Sequence, residues 1–114
     1  MLILHKRTKA LRFDNETIQT IINRDECCIF CNMAYHLPEQ LDYAQGIFDI
    51  MHIVPKSQGG LGIEENGVLG CRYHHQMLDN GNEGLRDEMM QIIDNYMVDR
   101  YPGWDRSALV YHKY

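Results

Sequence analysis

The apolar positions of this chain change period as it proceeds. Ile18, Ile21 and Ile22 fall at helical spacing behind Asp14 and Asn15, either of which can cap a helix that runs to about Arg24. From Ile47 to Val54 β-forming residues are nearly unbroken, which predicts a strand or hairpin arm, and Val68-Leu69-Gly70 offers a short return strand. Pro55 turns the chain between them, and Gly59-Gly60 with Gly62 keeps the connection compact. Cys71 to Asp79 reads as a short helix stopped by Asn80-Gly81, which tolerate a left-handed cap. A longer helix is predicted over Glu83–Arg100, with Leu85, Met89, Ile92, Ile93, Tyr96 and Met97 on one core-packing face. Tyr101-Pro102-Gly103-Trp104 ends it, and Asp105 can cap a last turn. Residues 1–12 alternate weakly and are expected as an extended arm; residues 32–46, with Pro38 and Gly46, are expected as a loop.

A length of 114 residues suits one domain with a small core, divided into an N-terminal arm and helix (1–26), a central segment (27–81) and a C-terminal helix and tail (82–114). Small domains are often stabilised by a metal, and four cysteines are present. The N-terminal apolar run is too short for a signal peptide, and no stretch reaches the length of a membrane span. The expectation is a cytoplasmic protein with no membrane partner, in which Cys-x-x-Cys binds metal instead of forming a disulfide.

Cys28 and Cys31 are such a pair, and Cys71 and His74 repeat the same spacing. Ligands two residues apart aim at one point from a tight turn, so the four are expected to hold a structural zinc tetrahedrally. Cys27 is left over and is expected to pack as a small apolar group. The thiols have no surrounding βαβ pattern, which argues against a redox pair.

His52, followed by Val54-Pro55 and Gly59-Gly60, then Asn66, then Cys71-Arg72-Tyr73-His74-His75, resembles the HNH endonuclease family over roughly residues 28–80. The resemblance implies a ββα-metal core with a zinc knuckle, here flanked by an N-terminal helix and a longer C-terminal one. It implies His52 as general base, Asn66 as the residue that holds the loop and helps orient that base, and His75 as ligand of a catalytic Mg2+, Mn2+ or other divalent ion. Adjacent helical residues point about 100° apart, so His74 is expected to face the zinc and His75 the cleft. Asp79 falls at i+4 from His75, where colicin nucleases of the same family place a second ligand; it is either an oxygen ligand or a solvated helix end. Free-standing proteins of this kind resemble those of bacteriophages, some of which assist packaging, so DNA and phage packaging proteins are the expected partners.

The sequence departs from the family at Met51, where many members carry a metal-ligating aspartate or histidine; a thioether is a poor ligand for Mg2+ or Mn2+. Leu78 stands where a lysine is usual. Asp49 matches a functional glutamate of the colicin relatives and, like Asp79, is a candidate ligand of the catalytic divalent ion, but it is an odd number of residues from His52, so a bulge or bend is expected if it is to take part. The formal net charge of −5 is awkward for a DNA-binding protein, yet the acids gather between residues 79 and 105. Lys6, Arg7, Lys9 and Arg12 form a basic arm, solvated or phosphate-contacting, and Lys56 and Arg72 inside the motif are expected to contact DNA. The competing expectation is a zinc-stabilised module that binds DNA or protein with a degenerate, inactive site.

Overall fold

Asp14 starts the first long helix by accepting a 2.7 Å hydrogen bond from the Thr17 amide. The computed structural model describes residues 6–80 and 84–112. Its elements are helices α1 (Lys6–Leu11), α2 (Asn15–Asp25) and α3 (Ile29–Asn32), strands β1 (Phe48–His52) and β2 (Gly67–Cys71), and helices α4 (Arg72–Asn80) and α5 (Arg86–Arg100), an α+β arrangement. Short 3-10 turns occupy Tyr43–Gly46, Lys56–Gln58, Glu64–Asn66 and Arg106–Ala108, the last capped by Asp105 as expected. No helix among the described residues is long and apolar enough to cross a membrane.

The strands pair antiparallel without a bulge, from Phe48 opposite Cys71 to His52 opposite Gly67. Parity gives each face of the hairpin its own set of side chains. Asp49 and Met51 lie on one face opposite Gly70 and Val68; Ile50 and His52 lie on the other, opposite Leu69 and Gly67. Both glycines sit against the ends of core side chains, which would have to shift to admit a larger residue. A Cβ on Gly70 would sit 2.5 Å from the Met51 methyl, and one on Gly67 would sit 2.6 Å from Ile21 Cδ1. The core gathers Phe30, Met51, Val68, Met89, Ile93 and Met97 around the hairpin and α5.

Three expectations need correction. Residues 6–11 are helical instead of extended: the run has no glycine or proline, its lysines, arginine, alanine and leucine favour helix, and the buried Leu11 anchors it. The α5 helix begins at Arg86, after Gly84 turns the chain with φ of 70°. Ile22, expected on the apolar face of α2, is 37 % exposed while Ile21 is fully buried. Residues 1–5 of the expected arm, Gly81 of the expected cap and Glu83 of the expected helix start lie outside the described residues.

A buried ion pair joins the layers. The fully buried Asp25 carboxylate accepts from Arg24 Nε (2.7 Å) and Nη2 (2.9 Å), from the Leu69 amide of β2 (2.8 Å) and from the Tyr96 hydroxyl of α5 (2.5 Å). Arg24 also donates to the carbonyls of Glu64 and Gly67 and to the Tyr101 hydroxyl. Every lone pair and most donors of the pair are thereby used, which is the condition under which a buried pair holds its place. Removing one partner strands a charge, so Arg24→Met is expected to destabilise the protein by about 3–5 kcal/mol, read as a lower urea midpoint.

Candidate metal and catalytic site

Cys28 caps α3 and Cys31 lies within it, while Cys71 closes β2 and His74 lies in the first turn of α4. Their ligand atoms all fall within 4.8 Å of one another, so the four are close enough to hold a metal ion such as zinc. Zn–S bonds near 2.3 Å and Zn–N bonds near 2.05 Å imply tetrahedral edges of about 3.8 Å between sulfurs and about 3.6 Å between sulfur and nitrogen. Cys31 Sγ and Cys71 Sγ are 3.7 Å apart, and His74 Nδ1 lies 3.7, 3.5 and 3.3 Å from the sulfurs of Cys28, Cys31 and Cys71. The donor set and the spacing therefore both fit the ion.

The surroundings prepare the ligands. His74 Nε2 donates to the Tyr35 carbonyl at 2.6 Å, which leaves the Nδ1 lone pair facing the sulfurs. Ala34 and His36, on either side of Tyr35, have φ of 53° and 40°, a conformation L-residues rarely adopt; the loop bends there to present that carbonyl. The Cys31 and His74 amides donate to the sulfurs of Cys28 and Cys71. Burial, then the charge of Cys28, pushes the Cys31 thiol up, and burial pushes the Cys71 thiol up to about 12. Several thiolates share this volume only if a cation joins them. Cys27 is partly buried and stands outside the quartet.

His75 turns the other way from α4. Its Nδ1 lies 3.0 Å from Asp49 Oδ2 and its Nε2 lies 3.2 Å from Asp79 Oδ2. Asp49 also takes Arg72, at 2.9 Å from Nη2, and this guanidinium, followed by the hydrogen bond to His75, outweighs burial and holds the Asp49 carboxyl below the usual range. Asp49 thus joins the site with no bulge, from its own face of β1, by meeting His75 and not His52. The two carboxylates meet opposite nitrogens of one ring. Among the described residues the Cys28, Cys31, Cys71, His74 group is the one set of three or more ligand residues that converges on a point.

His52 closes β1 on the other face. Its ring packs on Phe13 with centroids 4.1 Å apart, and its Nε2 lies 2.8 Å from the Leu11 carbonyl. A carbonyl only accepts, so Nε2 carries the hydrogen and Nδ1 carries the lone pair. Burial lowers the His52 pKa, the Leu11 hydrogen bond works against that, and the charge of Lys56 lowers it further; the net shift is down from 6.5. His52, His75, Asp79 and Lys56 all line one cleft of about 220 Å³. Met51 is 2 % exposed and packs in the core.

Asn66 is fully buried and bonds the Val54 amide and carbonyl and the Leu61 carbonyl at 2.8, 3.1 and 2.8 Å. It holds the loop that follows His52; the imidazole itself is oriented by Leu11. Lys56 is exposed at the cleft, and Arg72 is taken up by Asp49. Sequence reasoning missed Tyr35, Leu11 and Arg86. The first two act through backbone carbonyls, which no residue type announces; Arg86 lines the cleft from α5 and was signalled only by a cation in a helix's first turn.

Comparison of the chain with protein-family models, with curated proteins and with solved structures gives no match.

Metal analysis is expected to find one tightly held ion per chain. Cys71→Ser should lose it and Cys27→Ser should keep it, and chelation should lower the thermal midpoint of the parent and not that of Cys71→Ser.

Proposed function

We propose that the chain is a metal-dependent endonuclease of the HNH type that hydrolyses DNA phosphodiester bonds, with a ββα-metal core made of β1, β2 and α4 and a structural zinc at Cys28, Cys31, Cys71 and His74. The observation that carries this reading is the setting of His52: its Nε2 lies 2.8 Å from the Leu11 carbonyl, burial shifts its pKa down, and its ring lines the cleft that His75 also lines, all of which favour a neutral imidazole with a bare Nδ1. That is the form a general base needs at neutral pH.

His52 Nδ1 takes the proton of the attacking water, and the Leu11 carbonyl fixes the ring while the charge moves onto it. Asp49 holds His75 through Nδ1, which directs Nε2 towards Asp79. An octahedral ion with bonds of about 2.1 Å has neighbouring ligands about 3.0 Å apart, and the 3.2 Å between His75 Nε2 and Asp79 Oδ2 fits that edge. A divalent ion held there would neutralise charge on the phosphoryl oxygens and the departing oxygen. Asp49 then acts from behind His75, as carboxylates commonly do for ligating histidines. Zinc-bound thiolates suit the reducing cytoplasm, and free-standing nucleases of this type suit a bacteriophage setting with packaging proteins as partners.

The second reading is a zinc-stabilised binding module without catalysis. It is favoured by Met51, whose side chain lies in the core and supplies no ligand where the family often has one.

Zinc-loaded protein in manganese is expected to nick supercoiled plasmid, and His52→Ala and His75→Ala are expected to abolish nicking while zinc stays at one per chain. Absence of cleavage in manganese, magnesium and nickel would favour the binding module. Protonating Nδ1 removes the base, so activity should fall as pH drops through the lowered His52 pKa, and the acid limb of the pH–rate profile should lie below 6.5.

A further inference from the structure

We propose that Arg86, the first residue of α5, grips a backbone phosphate of the nucleic acid as it leaves the candidate catalytic cleft. The proposal rests on the nuclease reading above and adds to it a contact from outside β1, β2 and α4.

Beside the cleft of about 220 Å³ runs a second groove of about 640 Å³. The two share Ile53, Pro55, Arg86 and Met90, so they adjoin, and Arg86 is the charged residue common to both. The groove continues past Asp87 to Arg106. A polyanion laid along this path passes Arg86 on its way from His52 and His75.

Arg24, Arg72, Arg100 and Arg106 each have a carboxylate within 4 Å, whereas no such pair involves Arg86 or Lys56 among the described residues. Arg86 is nevertheless held in place, because its Nη1 donates to the Leu78 carbonyl at 2.9 Å. Among the described residues no other hydrogen bond takes the donors of the planar fork, and a guanidinium matches phosphate geometry. Helix stability does not account for the residue: a cation in the first turn opposes the helix dipole, which Asp87 and Glu88 satisfy instead.

The test is binding of a fluorescent 20-base-pair duplex to the zinc-loaded full chain without added magnesium or manganese, followed by anisotropy across a salt series. Each phosphate contact contributes about 0.9 to the slope of log affinity against log salt. Arg86→Gln is expected to weaken binding and lower that slope by about 0.9 relative to the parent, Arg86→Lys to keep the slope, and Arg100→Gln, at the far end of α5, to leave it unchanged. Thermal midpoints of the three variants check that the fold is kept. A parent that binds while Arg86→Gln keeps the parental slope overturns the proposal and leaves the nuclease reading standing. A parent that does not bind the duplex overturns both. A slope that falls with Arg86→Gln in a protein that never cuts plasmid supports the phosphate contact and removes the nuclease.

Discussion

The fold depends on one carboxylate that water does not reach. Asp25, at the end of α2, is paired with Arg24 and takes hydrogen bonds from β2 and α5, so three elements that share no local sequence are fixed to one point. An uncompensated charge in that position would be costly, and the partners must therefore assemble together. Because Leu69 is in the middle of β2, the same carboxylate sets where Cys71 ends the strand and where α4 departs.

From that departure α4 divides its labour between neighbours. His74 is fully buried and turns to the three sulfurs; His75 is partly exposed and turns to the cleft between Asp49 and Asp79. Two functions fit on adjacent residues because consecutive helical side chains diverge by about 100°. The cost is coupling. Whatever fixes the rotation of α4 at the sulfur quartet also fixes the approach of His75, so the structural centre and the candidate catalytic one are set by a single rigid element.

Much of this was legible in the residues, and the limits have physical causes. Matched two-residue intervals made the quartet readable, since two such pairs suit one tetrahedral ion better than a redox pair. The Asp14 cap, both strands and α4 followed from capping chemistry, β-forming runs and glycine punctuation. The helix at residues 6–11 was hidden because its single buried residue, Leu11, gives no periodicity to detect. Parity correctly separated Asp49 from His52, but no pattern within β1 could tell that Asp49 would meet His75 and Arg72 from α4 instead. The same holds for Arg72, whose charge is visible in the sequence and whose neutralising partner, 23 positions away, is not.

The Leu11 carbonyl on His52 changes what counts as the working unit of this chain. Every candidate catalytic side chain lies between residues 49 and 79, yet the group that decides which nitrogen of His52 is bare comes from α1, ahead of that span. A fragment cut to the span would keep all of its chemistry-bearing side chains and lose command of the tautomer, because the Leu11 carbonyl that holds Nε2 would be gone. The boundary of the candidate site is therefore drawn by a main-chain oxygen, and any event that lifts α1 away, whether proteolysis or a competing contact, would free the His52 ring while leaving residues 49–79 untouched.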